Sequence, residues 1–399
     1  MLRVVVISSV ASQRVSERRR LAALARRPDM AVTVLVPRAG DPAPPDPQGG
    51  FIEVGARSWT PWFRSGRVNT VPELKSTLAR LRPDAILVHQ EPGSLLAWQA
   101  LRVRDRVAPD AAVLVESEQT DINLTTGPSV HVERHVLNRA DALVVRHKVR
   151  LELARAQGFT GYGVVVGYGV DGGIFRPGLR SGAREALGVS GFTIGYLGRI
   201  APESGLSDVL EALAVTKAPV NLIIKASGDD QARARDEIVD HAASLDIAHR
   251  VRFIGPDETA DDAAFLGALD ALVSMRRTVR RWREPYEHVI PEAQACGVPV
   301  IASALSGIPT LVGPGGWIVG ERDAGLLARL LQRIATQPEV TEAVGMAALA
   351  HVTQHGSLDA ATQELRRAFD TAIQARKLSC ATRPRSWLGY PPVPESSRR

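Results

Sequence analysis

The sequence predicts an α/β protein made of two doubly wound parallel sheets that face a central cleft. Three observations predict it. Short β-branched runs alternate with longer amphipathic stretches along most of the chain. The runs are apolar at consecutive positions, as strands covered by helices on both faces must be. A connection containing Pro and Gly, from Phe175-Arg176-Pro177-Gly178 to Ser190-Gly191, divides the alternation into two similar halves.

In the first half the expected strands are Arg3–Ser8, Ala31–Pro37, Ala85–His89, Ala112–Glu116, Ala142–Val145 and Gly163–Val166. Between them, Ser16–Arg27, Val71–Leu81, Leu95–Arg104, Val130–Arg139 and Lys148–Gln157 read as helices. Val136, Leu137 and Ala140, for example, recur at spacings that make one apolar stripe. In the second half the expected strands are Thr193–Leu197, Asn221–Lys225, Val251–Ile254, Ala271–Ser274, Pro299–Ala302 and Trp317–Val319. The helices are Gly205–Ala214, Asp230–Leu245, Ala263–Leu269, Pro291–Ala295, Ala324–Ala335, Thr341–Thr353 and a last one over Leu358–Arg376. The expected divisions are 1–177, 178–357, a final helix 358–376 and a basic, Pro-containing mobile tail 377–399. Arg38–Gly50, rich in Pro, Asp and Gly, reads as a surface loop.

With 399 residues, 45% hydrophobic and 23% charged, the chain is long enough to bury two cores. Its two cysteines, Cys296 and Cys380, exclude a disulfide framework and a cysteine-rich zinc site. No apolar run approaches the roughly 18 residues of a membrane helix. The run Val4–Ile7 is too short for a signal peptide, so a cytoplasmic protein is expected. The formal charge of +6, from 49 basic and 43 acidic residues, suits an anionic partner such as a nucleotide or brief contact with an anionic membrane face. The excess is modest for nucleic-acid binding, and neither zinc-finger spacing nor an RNP pattern is present. His131 and His135, four apart, lack the glutamate-rich partner motif of a helical metal pair, so no metal is expected.

The richest segment is Ser274–Gly297. It contains Glu284-Pro285-Tyr286-Glu287-His288-Val289-Ile290-Pro291-Glu292 and then Ala293-Gln294-Ala295-Cys296-Gly297-Val298-Pro299-Val300-Ile301. It reads as a loop that enters a helix near Val289, then a turn and a buried strand. Free N–H groups at such a helix start suit a phosphate, and nearby carboxylates accept from sugar hydroxyls. By spacing alone the two glutamates serve equally as caps that complement the helix dipole.

These residues resemble the signature of the retaining GT-B glycosyltransferases of family 4 (group 1). Other segments agree in order. Tyr196-Leu197-Gly198-Arg199 with Glu203-Ser204-Gly205-Leu206 resembles the Gly-Arg…Glu-Lys-Gly segment. Gly169-Val170-Asp171 with Phe175-Arg176-Pro177 resembles the interdomain marker, and Ser306-Gly307-Ile308-Pro309 the Gly-Gly-Ile-Pro turn. Val132-Glu133-Arg134 with Arg139-Ala140-Asp141-Ala142 resembles the helix-to-strand step of the first domain. The resemblance spans about Val4 to Arg376. It implies a GT-B fold of two Rossmann-like domains, the first for the acceptor and the second for a nucleotide sugar, with the final helix crossing back to the first. It also implies retaining, metal-independent transfer to a hydroxyl acceptor such as a glycan, a lipid-linked glycan or a natural product, with no cofactor.

Carried over, Glu284 binds hydroxyls of the donor sugar and Glu292 the ribose. Backbone N–H groups around Tyr286, Glu287, His288 and Val289 hold the sugar and diphosphate, and Arg199 pairs with the diphosphate. Three positions depart from the family. Its lysine two after Pro202 is Ser204, the glycine of its Glu-x-Phe-Gly turn is Glu287, and Ser8-Ser9-Val10-Ala11-Ser12 replaces its glycine loop, leaving Ser9 on the acceptor side. One of Arg276, Arg277, Arg280, Arg281 and Arg283, or Lys225, is expected to replace the lysine, with Arg283 pairing Glu287; a solvated basic loop is the alternative. Glu118 is the candidate to orient the acceptor hydroxyl or steady a cationic sugar. His89 and Glu91 are expected at the cleft mouth. Ser204 and Glu287 also support a second reading, a catalytically weak GT-B subunit that binds a partner protein or a glycan.

Overall fold

Every strand pairing among the described residues is parallel, in two sheets. The computed structural model describes residues 1–8, 15–38, 50–58, 70–117, 128–178, 180–226, 231–254, 261–278 and 287–382. The first half runs β1 (Leu2–Ser8), α1 (Val15–Ala25), β2 (Met30–Arg38), β3 (Ile52–Arg57), α2 (Leu74–Leu81), β4 (Ala85–His89) and α3 (Leu95–Val107). It continues with β5 (Ala112–Ser117), α4 (Pro128–Arg139), β6 (Ala142–Val145), α5 (Lys148–Ala156) and β7 (Tyr162–Val165). The second runs α6 (Arg180–Ala186), β8 (Phe192–Gly198), α7 (Leu206–Val215), β9 (Val220–Ala226), α8 (Ala232–Ser244), β10 (Val251–Phe253), α9 (Asp262–Gly267) and β11 (Ala271–Ser274). After it come α10 (Val289–Ala295), β12 (Val300–Ser303), α11 (Ile308–Val312), β13 (Gly316–Val319), α12 (Ala324–Thr336), α13 (Pro338–His355) and α14 (Leu358–Thr382).

The strand orders are β3-β2-β1-β4-β5-β6-β7 and β10-β9-β8-β11-β12-β13. In each sheet the order reverses once, between β1 and β4 and between β8 and β11. Crevices at the carboxyl ends of strands at such reversals are where ligands bind in doubly wound sheets. The central strands are buried on both faces; all five residues of β4 and all four of β6 are buried. Each fully buried Val, Leu or Ile there contributes about 1.5–3 kcal/mol.

Four elements differ from expectation, and one is α11, a short helix that begins at Ile308 inside the stretch expected as a turn, with Pro309 in its first turn. β3 was expected as part of no strand: it is an edge strand with one neighbour, Gly55 within it, and mostly half-exposed side chains, so the doubly buried pattern is missing. α6 lies in the stretch read as a plain connection, and among its own residues only Ala183 is buried. The last helix continues past Arg376 to Thr382, because no Gly or Pro interrupts the chain before Pro384. The rest of the expected tail, 383–399, lies outside the described residues, as does most of the expected loop 38–50.

The apolar side chains change core between Val166, which packs in the first, and Val170, which packs in the second, ahead of the junction expected at 177. Val170 exchanges backbone hydrogen bonds with Gly356 and Leu358 at 2.8 and 2.9 Å, so the outgoing and returning chains cross side by side. Beyond this crossing α14 lays Ala361, Leu365, Ala368, Phe369 and Ala372 into the first core. Their spacing by three and four makes one apolar stripe. Arg376 fastens the far end by donating to the Pro109 carbonyl at 2.9 and 2.6 Å.

Candidate active site

At the reversal of the second sheet, β8 ends in Gly198 and delivers Arg199 to the carboxyl edge. The Arg199 guanidinium is about one-third exposed and donates to Glu203 Oε1 at 2.7 Å. Pro202–Ser204 forms a single 3₁₀ turn, closed by Gly205 at φ 69°. A Cβ on Gly205 would lie 1.5 Å from the Met275 carbonyl oxygen, so only glycine lets this turn sit on the exit of β11. On the other side, the Arg277 N–H donates to the Glu203 carbonyl at 3.0 Å. Residues 275–277 therefore run alongside 203–205.

Of the six candidates to replace the missing lysine, three lie among the described residues. Ser204 is buried, and its Oγ accepts from the Leu206 N–H at 3.4 Å. Arg277 is committed to Asp208 by two hydrogen bonds of 2.8 and 2.6 Å. Lys225 is paired with Asp262 at 2.8 Å. Arg276 lies between the two backbone contacts, beside Ser204, and is 5% exposed. Its Nη2 comes within 3.9 Å of the place a Cβ on Gly198 would take. A buried guanidinium thus stands at the sheet reversal, next to Arg199. Arg280, Arg281 and Arg283 lie outside the described residues, as do Glu284 and Tyr286.

The segment that follows enters α10. Val289 is buried in the second core, which leaves only its backbone for a ligand. The His288 carbonyl accepts from the Glu292 N–H at 3.2 Å. Glu292 is 7% exposed. Burial pushes its carboxyl up to about 8; Asp262 adds to the rise, and Arg19 of α1, reaching from the first half, opposes it. A carboxyl that holds its proton near neutral pH both donates and accepts, which suits a pair of vicinal hydroxyls.

Arg283, the partner expected for Glu287, lies outside the described residues; among those described, Glu287 pairs with His147 and Tyr168. Its Oε2 accepts from His147 Nε2 at 2.6 Å, across the two halves, and from the Tyr168 hydroxyl at 3.3 Å. The carboxylate is turned toward the first half.

At the reversal of the first sheet, His89 is not at an open cleft mouth. It is 2% exposed, with Nδ1 3.3 Å from Ser8 Oγ and 3.3 Å from Glu17 Oε1. The reason is a buried ion cluster that accepts it. Arg20 donates to both oxygens of Glu17 and both of Glu116, and Arg146 reaches Glu116 at 2.8 Å. Burial alone would raise the Glu116 carboxyl, but the Arg20 and Arg146 charges overcome it and hold it below the usual range. Glu91, half-buried, accepts from the Ser117 hydroxyl at 2.6 Å, and Arg150 donates to the same hydroxyl at 2.8 Å. Glu17, His89 and Glu116 offer atoms within 4.8 Å of one another, a spacing that could hold a metal ion. Arg20 already donates to both carboxylates, and a fixed cation there opposes a second one. Glu118 and Ser9 lie outside the described residues.

The sequence argument missed His147, Tyr168, Arg146 and Arg20. Arg146-His147 directly follows a strand at its carboxyl end, where polar residues in this architecture line the crevice, and that position was the available signal. Arg20 gave only the appearance of one more charge in a basic run.

Among the described residues no helix is long and apolar enough to cross a membrane. The family model described as glycosyl transferases group 1 matches residues 183–350. The chain is 33% identical over 238 residues to the D-inositol 3-phosphate glycosyltransferase of Mycobacterium leprae, covering 55% of this chain and 54% of that protein. It is 34% identical over 221 residues to the enzyme of that name from Actinosynnema mirum, covering 52% of each. The chain thus spans about half the length of these curated relatives. Among solved structures, sucrose-phosphate synthase from Thermosynechococcus elongatus superimposes with a TM-score of 0.75 at 20% identity, covering 96% of this chain and 100% of that one. The Anabaena protein HepE, in complex with UDP and glucose, gives 0.71 at 18% identity, covering 93% and 100%. The chain has the GT-B fold in both halves, and its residues 183–350 match the family model of the group 1 glycosyl transferases.

Proposed function

We propose that this chain is a glycosyltransferase that moves a sugar from a nucleotide diphosphate sugar to a hydroxyl acceptor, with retention at the anomeric carbon and without a metal ion. The observation that carries it is the pair Arg199 and Arg276 at the reversal of the second sheet, beside a turn that belongs to the group 1 domain. Guanidinium forks match phosphate oxygens, and two of them take up the negative charge that develops on a departing diphosphate. Glu292, protonated near neutral pH, would hold the ribose hydroxyls, and Glu284 the donor sugar. Glu118 would face the acceptor hydroxyl.

In the transfer the bond from the anomeric carbon to the phosphate oxygen breaks, and a bond to the acceptor oxygen forms on the same face. The leaving phosphate oxygen takes the acceptor proton. Closure of the cleft excludes water and so favours transfer over hydrolysis. The acceptor class stays a glycan, a lipid-linked glycan or a natural product. The pairing of Glu287 with His147 and the burial of Arg276 near Gly198 support this reading over a catalytically weak subunit that binds a partner protein or a glycan.

The test is a thermal-shift screen of the full chain against UDP, GDP, ADP, dTDP and their common sugars. A ligand at about 100 times its dissociation constant adds about 2.7 kcal/mol and raises the melting temperature visibly. NMR of the product made from the donor that binds then reads the anomeric configuration. No shift with any nucleotide refutes the donor site, and an inverted product refutes retention.

A further inference from the structure

We infer that His147 is a positioning residue for the donor site: a wedge from the first half that fixes the entry of α10 in the second through Glu287. The inference rests on the donor site proposed above. His147 follows β6 and is 2% exposed, although it projects out of its own sheet's edge. Its ring lies against Gly307, at the start of α11, so closely that a Cβ there would come within 2.5 Å of the ring Cγ and 2.8 Å of Nδ1. On its far side Nε2 meets Glu287 at 2.6 Å. One imidazole is therefore held between two turns of the second half, one before α10 and one before α11.

The wedge is itself braced. Arg146 donates to the Gly167 carbonyl at 2.8 Å and lies 5.3 Å from the centre of the Tyr168 ring. Tyr168, in the crossing segment between the halves, donates to Glu287. The same Arg146 reaches Glu116 in the buried ion cluster. A continuous polar path thus leads from the core of the first sheet, through the crossing segment, to the residue that opens α10. At the other end of that path, Glu287 has its second oxygen, Oε1, buried and without a hydrogen-bond partner among the described residues. Both donors converge on Oε2, so His147 provides the shortest contact to this carboxylate. Losing it would leave this buried carboxylate only the 3.3 Å contact to the Tyr168 hydroxyl, and the turn that carries Glu287 would have to move outward to hydrate it. That turn leads directly into the helix that bears Glu292.

The experiment uses the full chain and compares wild type with His147→Ala, Glu287→Gly, the double variant and His147→Gln. Hydrogen–deuterium exchange at the backbone of 288–295 needs no ligand. His147→Ala is expected to speed it about tenfold while β4 and β5 stay protected, and the double variant to return toward wild type because no carboxylate is left stranded. In parallel, the dissociation constant for the nucleoside diphosphate that shifts wild type is expected to rise about tenfold in His147→Ala. It should recover in His147→Gln, which keeps an N–H donor. Unchanged exchange at 288–295 in folded His147→Ala overturns the inference, as do effects of the two single variants that simply multiply. Failure of wild type to bind any nucleotide overturns the donor reading instead, and the exchange data still decide whether His147 holds α10.

Discussion

Replacing Arg276 tests the donor site most directly. A guanidinium about 4 Å from a phosphate charge interacts by about 4 kcal/mol at an effective dielectric of about 20. Arg276 is 5% exposed, so solvent screens it little. Removing one preorganised donor from a developing anion costs about 2.7–4 kcal/mol in other enzymes. With Arg199 still in place, Arg276→Met is expected to lower kcat/KM for the donor by about two orders of magnitude, or about 3 kcal/mol. Methionine keeps most of the volume, and Arg276→Lys keeps the charge and should retain most of the activity. The assay is initial-rate kinetics with the donor found by thermal shift, run beside titrations with the nucleoside and its diphosphate. Affinity for the diphosphate should fall while affinity for the bare nucleoside holds. A folded Arg276→Met enzyme with kcat/KM within about threefold of wild type would refute the reasoning, because about 0.6 kcal/mol is no more than a screened surface charge supplies. Equal loss of nucleoside and diphosphate binding would also refute it, since that pattern means a collapsed site and not a missing cation.

Glu292, raised to about 8, holds a proton between pH 4.5 and 8 that the unfolded chain has released. The folded state therefore binds more protons in that window, and stability present below pH 4.5 is lost as pH rises through 8. Glu292→Gln removes this slope, so its melting temperature should gain on wild type steadily from pH 5 to pH 8, while its affinity for the nucleotide falls; parallel melting curves across that range would contradict the raised carboxyl. Gly205→Ala should destroy donor binding, because its Cβ would need the place of the Met275 carbonyl at 1.5 Å in a left-handed backbone; diphosphate titration checks it, and wild-type affinity would contradict the turn geometry. Arg20→Met should cost about 3–5 kcal/mol in urea unfolding by leaving Glu17 and Glu116 with Arg146 as their one remaining arginine among the described residues, and the double variant Arg20→Met with Glu116→Gln should cost clearly less than the two single losses added.

The alternation of strands and helices was legible because burial on both faces leaves a plain mark: β4, β6 and β11 fall on the residues their apolar runs pick out. β3 was not legible, since an edge strand needs only one good face and Gly55 breaks even that. The site divides in the same way. Arg199 and Glu292 stand in motifs whose order along the chain carries the information. Arg276 and Arg277 are adjacent and chemically alike, so no local pattern tells that Arg277 pairs with Asp208 while Arg276 is buried with its Nη2 near Gly198; the difference arises where the exit of β11 meets the turn at Gly205. His147 is farther still from legibility, with its partner 140 positions away. Both unusual positions then have the same logic. The segment of Ser204 runs beside the exit of β11, which carries the buried Arg276, and Glu287 lies against a histidine from the other half of the molecule. Inspection of the motif alone counts each as a defect, because a motif records which charge is absent from a segment and not which segment has brought one in. Packing decides the sign: the buried Ser204 accepts from the Leu206 N–H where α7 begins, and a carboxylate at the mouth of α10 is tolerable only where an imidazole is wedged to meet it.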